Sequence, residues 1–236
     1  MQRWLITGAG RGIGLELARQ LLQRGDAVVG SVRSACAAET LRREFAGADA
    51  ERLQVLVFDV CDRGAIAVAA AQVTERIDVI VNNAGILGRE PQSVLDMDFD
   101  GFIETLMVNT VGPLAVTQAF LPHLQANSRP RIVCVTSRMG SFASYQKPDL
   151  IAYQASKAGA NKVVRALAAT LGPRGITVIA AHPGLVRTEL AGARAAGSPN
   201  SISAGEAAAG LLKVIDGLQA SDNGRFLDHD GREIAW

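Results

Sequence analysis

The chain has 236 residues, of which 48% are hydrophobic and 20% charged, and its formal net charge is +1. That length supports one large domain or two small ones. Near-neutral charge and only 5% aromatic residues exclude the basic stripe and stacking platforms of a nucleic-acid binder. No run approaches the roughly 18 apolar residues of a membrane span. Cys36, Cys61 and Cys134 are an odd, widely spaced set. They are expected to be plain thiols in a reducing cytoplasm, with no metal site.

Residues 3–7 are a short apolar run that reads as a strand. Thr7-Gly8-Ala9-Gly10-Arg11-Gly12-Ile13-Gly14 follows at once and opens a helix at 13–24, where Ile13, Leu17 and Leu21 share a face. Backbone without side chains can approach a pyrophosphate closely, and a helix N-terminus offers free N–H groups. A second strand, 27–32, ends in Arg33 and Ser34 with no carboxylate for ribose hydroxyls. Arg33, with Arg11 behind it, suits a 2′-phosphate, so NADP(H) is expected over NAD(H). Helices are expected at 38–45, 63–73, 99–124, 152–171 and 204–218. Further strands are expected at 53–58, 79–81, 131–136 and 177–181, with a weaker one at 224–227. The apolar strands are nearly continuous, as in sheets buried on both faces. Alternation of strand and helix implies an α/β fold: a single Rossmann-type doubly wound parallel sheet of about seven strands. With no second core-sized segment, residues 1–236 are expected to form one domain. The Ala-, Gly- and Ser-rich stretch 191–203 reads as a mobile loop, and a substrate lid is expected near 185–203.

Two pieces of chemistry sit at strand ends. Ser137 follows strand 131–136, where open parallel sheets place ligands, and its hydroxyl can steady a developing alkoxide. Thr136 and Ser141 are rival hydroxyls. Tyr153 and Lys157 stand one helical turn apart, and a nearby ammonium favours a phenolate.

These motifs together resemble the short-chain dehydrogenase/reductases over nearly the whole chain. TGxxxGxG occurs as Thr7–Gly14, NNAG as Asn82-Asn83-Ala84-Gly85, YxxxK as Tyr153/Lys157, and the PG segment as Pro183-Gly184. The loop from Ser137 to Tyr153 and the tail 224–236 resemble the carbonyl-reductase branch that includes sniffer and C-factor-like proteins.

The resemblance implies an NADP-dependent oxidoreductase that reduces a ketone or aldehyde. Tyr153 would be the general acid, Ser137 would polarise the substrate oxygen, and Lys157 would lower the tyrosine pKa. Asn109 would hold a relay water. The cofactor would lie along Gly8, Gly10, Arg11, Gly12, Ile13, Gly14, Arg33, Asp59, Val60, Asn83, Ala84, Gly85, Tyr153 and Lys157. Pro183, Gly184, Val186 and Thr188 would surround its nicotinamide end. A dinucleotide-sensing protein acting through a partner and a 3-oxoacyl-thioester reductase are the competing readings. Arg89, Arg138, Met139, Phe142, Leu185 and Leu190 are candidates for the substrate pocket. His123 and His182 are expected to pack, as are Trp4 and Trp236 at the edge of the sheet. Long helices rich in small and apolar residues imply a homodimer or homotetramer.

Overall fold

Leu5, Val29, Ile80, Ile132 and Val178 point to one face of a sheet, and Trp4, Ile6, Val28, Val79, Val133 and Ile179 to the other. Both sets are fully buried, so each face must carry its own helical layer. In the computed structural model, which describes residues 1–47, 50–124, 129–145 and 147–236, that is the arrangement found. Seven parallel strands lie in the order β7-β6-β5-β4-β1-β2-β3: β1 (Arg3–Thr7), β2 (Ala27–Val32), β3 (Leu53–Val57), β4 (Val79–Asn82), β5 (Arg131–Val135), β6 (Thr177–His182) and β7 (Phe226–Asp228). Order reverses between β1 and β4, so a crevice opens over the carboxyl ends of these strands.

The helices are α1 (Gly12–Gln23), α2 (Ala35–Glu44), α3 (Arg63–Ala71), α4 (Phe99–Leu106), α5 (Gly112–Phe120), α6 (Ile151–Leu171), the single turn α7 (Ala193–Ala196) and α8 (Ala204–Gly217). Leu17 and Leu21 of α1, Leu41 of α2, and Leu211 and Ile215 of α8 cover the Trp4 face. Ile66 of α3, Val116 and Phe120 of α5, and Ala160 and Val164 of α6 cover the Leu5 face. A capping box between Ser203 and Glu206 starts α8 and contributes about 1 kcal/mol.

Two expectations are corrected. The helix at 99–124 is interrupted by a π-helical turn, Met107–Val111, between α4 and α5. Pro113 has no N–H for the carbonyl of Asn109 four residues back, and its ring would collide with that carbonyl, so the chain widens there. Trp4 is not at an edge: β1 pairs with both β2 and β4. Its indole lies under the guanidinium groups of Arg24 and Arg131, at 5.2 and 5.8 Å. Trp236 does pack by the edge strand β7, against Phe226 at 5.3 Å between ring centres.

Candidate active site

The strand ends surround a cavity of about 1280 Å³. Its floor is the glycine loop between β1 and α1. Gly8 and Gly12 have φ of +70° and +55°, conformations that L side chains rarely adopt. A Cβ at Gly14 would stand 2.2 Å from the carbonyl oxygen of Gly8, so loop and helix touch with no room for a methyl group. Arg11 precedes the helix without capping it by its side chain, so the first-turn N–H groups at Gly12 and Ile13 meet the cavity uncapped. Loop 83–85 is pinned against this floor. Thr7 Oγ1 accepts from the N–H groups of Asn83 and Ala84, both at 3.0 Å, and the Asn83 amide donates to Thr7 O at 2.9 Å. Arg33, Asp59 and Val60 form the wall at the ends of β2 and β3. Among the described residues the Arg33 guanidinium has no ion pair, whereas Arg11 is paired with Glu189. A floor without side chains, an uncapped helix N-terminus and two arginines at one end fit a phosphorylated dinucleotide.

At the other end stand Ser137, Tyr153 and Lys157, all buried. The Lys157 ammonium donates to Val135 O at 3.0 Å and lies 5.7 Å from the centre of the Tyr153 ring. Burial pushes the Tyr153 phenol up to about 12, while a hydrogen bond with Ser137 works the other way. Burial also holds Lys157 below its ordinary value. Burial thus favours the neutral phenol, whereas the nearby Lys157 ammonium favours the phenolate.

The three candidate hydroxyls separate by partner. Thr136 donates to Asn161 at 2.8 Å. Ser141 donates to the Ala235 carbonyl at 2.6 Å and does not line the cavity. Ser137, which accepts from the Met139 N–H at 3.2 Å, faces the cavity beside Tyr153.

Asn109 and Gly14 stand behind the wall; the other expected site residues line it, including Gly10, Pro183, Gly184, Val186 and Thr188. The Asn109 amide clamps the backbone of Ile86, accepting from its N–H at 2.9 Å and donating to its carbonyl at 2.8 Å, and also donates to Ser156 Oγ at 2.9 Å. Ser156 in turn donates to Tyr153 O at 2.7 Å. Arg138, Met139, Leu185 and Leu190 reach the cavity, as expected. Arg89 does not, being paired with Asp98 at 3.3 Å, and Phe142 projects outward. Position 146 of the loop before Tyr153 lies outside the described residues.

Sequence reasoning missed several groups. Ser156 sat unnoticed inside the Tyr153–Lys157 motif. Gln92 accepts the Tyr153 N–H at 3.1 Å from a two-strand hairpin, Gln92–Ser93 and Asp96–Met97, and carried no local signal. His182, expected to pack, is on the cavity wall with a buried Nδ1 that has no hydrogen-bond partner among the described residues. Burial lowers its pKa to about 4. The loop expected at 191–203 carries α7 and a strand, Ser201–Ile202, paired with Leu185–Val186.

A sequence model of the family described as short chain dehydrogenase matches residues 2–198. C-signal of Myxococcus xanthus is 39% identical over 163 residues, 69% of this chain and 95% of that protein. The 1-hydroxy-2-glutathionyl-2-methyl-3-butene dehydrogenase of Rhodococcus sp. (strain AD45) is 32% identical over 242 residues, the full length of both. The NADPH-bound carbonyl reductase from chicken fatty liver superimposes with a TM-score of 0.90 at 28% identity, covering 100% of this chain and 99% of that one. Carbonyl reductase Sniffer of D. melanogaster gives 0.88 at 26% identity over all of both chains.

Proposed function

Because the chain belongs to the short-chain dehydrogenase family, and within it to the carbonyl-reductase type, we propose that it reduces a ketone or aldehyde with NADP(H), Tyr153 supplying the proton. The observation that carries this reading is the placement of Tyr153, buried on the cavity wall with Ser137 beyond the glycine loop and with the Lys157 ammonium 5.7 Å from its ring.

The glycine loop, with Ile13, would hold the pyrophosphate, and Arg11 and Arg33 the 2′-phosphate. Asp59 and Val60 would meet the adenine, and Asn83, Ala84 and Gly85 the riboses. Pro183, Gly184, Val186 and Thr188 would frame the nicotinamide. The cofactor supplies a hydride when bound. Ser137 donates to the carbonyl oxygen of the substrate and orients it beside Tyr153. The phenol then delivers its proton to that oxygen as charge builds there, a step that general acids accelerate by about 10²–10⁴. Lys157, held by Val135, carries a positive charge that steadies the phenolate left behind. Asn109 fixes Ile86 and Ser156 and thereby ties the loop after β4 to the first turns of α6, which carry the tyrosine. Residues 185–203 serve as the substrate loop of one domain spanning residues 1–236. Oxidation of NADPH, with NADH in parallel, against a panel of ketones, aldehydes and quinones tests the reading. Turnover with NADPH preferred is expected.

A second reading, a dinucleotide-binding protein whose output is a partner contact, draws support from the 39% identity to a protein named for a signal. NADPH binding without turnover on any member of that panel would favour it. The chain is also proposed to be a homo-oligomer, in the cytoplasm. Phe99, Ile103, Met107 and Val111 recur every four residues along α4 and the π-turn and are all exposed, a stripe suited to a second copy. Light scattering at micromolar concentration is expected to give a dimer or tetramer, and a monomer would contradict this.

A further inference from the structure

Resting on the carbonyl-reductase reading, we propose that the substrates of this chain carry an anionic group, a carboxylate or its like, which Arg138 recognises. Arg138 immediately follows Ser137, the residue placed at the substrate oxygen, and its side chain lines the cavity. It is held from below rather than left to wander. Asp228, at the carboxyl end of β7, keeps only 3% of its side chain exposed and pairs with the outer guanidinium nitrogen Nη2. The other Asp228 oxygen accepts from His229, from its N–H at 2.8 Å and Nδ1 at 2.6 Å. Asp228 therefore has both oxygens engaged, while Nε and Nη1 of Arg138 have no hydrogen-bond partner among the described residues. Nearly half of this side chain remains exposed. An anchored guanidinium with unused donors is a ready-made seat for a carboxylate, because little side-chain freedom is lost when it binds.

The surroundings have the same sign. Among the described residues, eight basic side chains line the cavity against four acidic ones, in a chain whose net charge is only +1. Two of the eight, Arg11 and Arg33, stand at the glycine-loop end. The other six, Lys157 among them, face three acids at the end that holds Ser137 and Tyr153, and four of the six, Arg138, Arg187, Arg194 and Arg232, each pair with a carboxylate. Lys147, on the rim there, is exposed and has no ion pair among the described residues. Low-dielectric walls concentrate such a field and raise the capture of anions, an effect that salt weakens.

The test compares 4-carboxybenzaldehyde with its methyl ester, the same ring and aldehyde with and without charge, under saturating NADPH. Expected is a kcat/KM at least about tenfold higher for the acid at low salt, with the advantage shrinking as salt rises. Arg138→Gln should bring the acid-to-ester ratio close to one. Lys147→Gln, a surface change that spares the fold, should lower the ratio and flatten its salt dependence. Calorimetry with benzoate and methyl benzoate on the NADP⁺-loaded protein reads the same site without turnover. Benzoate bound and methyl benzoate not supports the anion site even if neither aldehyde is reduced, in which case only the reaction assignment fails. Equal turnover of acid and ester by wild type, or failure to bind benzoate in preference to methyl benzoate, overturns the proposal.

Discussion

The two ends of the cavity are built by different means. The glycine-loop end is built around close-packed backbone: Gly14 allows no Cβ beside Gly8 O, and the Thr7 hydroxyl and Asn83 amide join the β1 and β4 ends by bonding to main-chain groups. The substrate end is held by side chains from far-apart segments. Arg138 pairs with Asp228 across 90 positions, and Arg194 of α7 reaches Asp149 at 3.4 Å. Between them Arg11 pairs with Glu189, which ties the glycine loop to the 185–203 segment. A site made from backbone constrains residue type, because only glycine fits. A site made from ion pairs constrains only charge; the exposed Arg194–Asp149 pair is worth about 0–1 kcal/mol, whereas Arg138 rests on the buried Asp228. The cofactor end should therefore be rigid and unforgiving, and the substrate end adaptable.

Substitutions at the two ends should separate accordingly. The largest effect is expected at the junction: Tyr153→Phe should lower kcat by about 10³-fold while the NADPH fluorescence titration stays near wild type. Unchanged turnover would remove the tyrosine from its role. Next, Gly14→Ala forces a methyl group onto the Gly8 carbonyl, and overpacking of this kind costs about 1–3 kcal/mol. A lower Tm and a loss of cofactor affinity of about tenfold or more should appear together. A weaker effect is expected for Arg33→Ala, which should reduce the preference for NADPH over NADH by about tenfold, the size of a charge-assisted hydrogen bond. Comparable relative affinities in variant and wild type would assign the 2′-phosphate elsewhere.

The smallest effect is one of pH. His182 is held neutral by burial, its pKa of about 4 lying below the ordinary 6.5. The stability this represents is fully present above pH 6.5 and lost as pH falls through 4. A shift of that size corresponds to at most about 3 kcal/mol, and the part-open ring reduces it to about 1.5 kcal/mol. Urea melts between pH 7 and 4 should show the loss in wild type, and His182→Gln should remove part of it.

The same contrast explains what could be read from the sequence. Alternating strands and helices gave the sheet, because strands buried on both faces must be apolar along their length, as Ala27–Val32 is. Gly8, Gly12 and Gly14 were legible because positive φ and close approach leave no other residue type. Ser137 could be separated from Ser141 only in three dimensions, where the tail carbonyl of Ala235 takes the Ser141 hydroxyl. Asp228, His182 and Gln92 left no local trace. Their importance comes from strand register, β6 beside β7, and from a hairpin folded back onto α6. For Tyr153 the spacing shows that Lys157 comes near, while the burial that raises the phenol is set by the whole fold.

Hydride delivery to a carbonyl held between Ser137 and Tyr153 is tested most directly with NADPH carrying deuterium at both C4 positions. Mass spectrometry of the alcohol formed from 4-carboxybenzaldehyde should find one deuterium on the carbinol carbon and none gained there from heavy water. An alcohol without that deuterium, or NADPH bound and never consumed with any carbonyl compound, would contradict it.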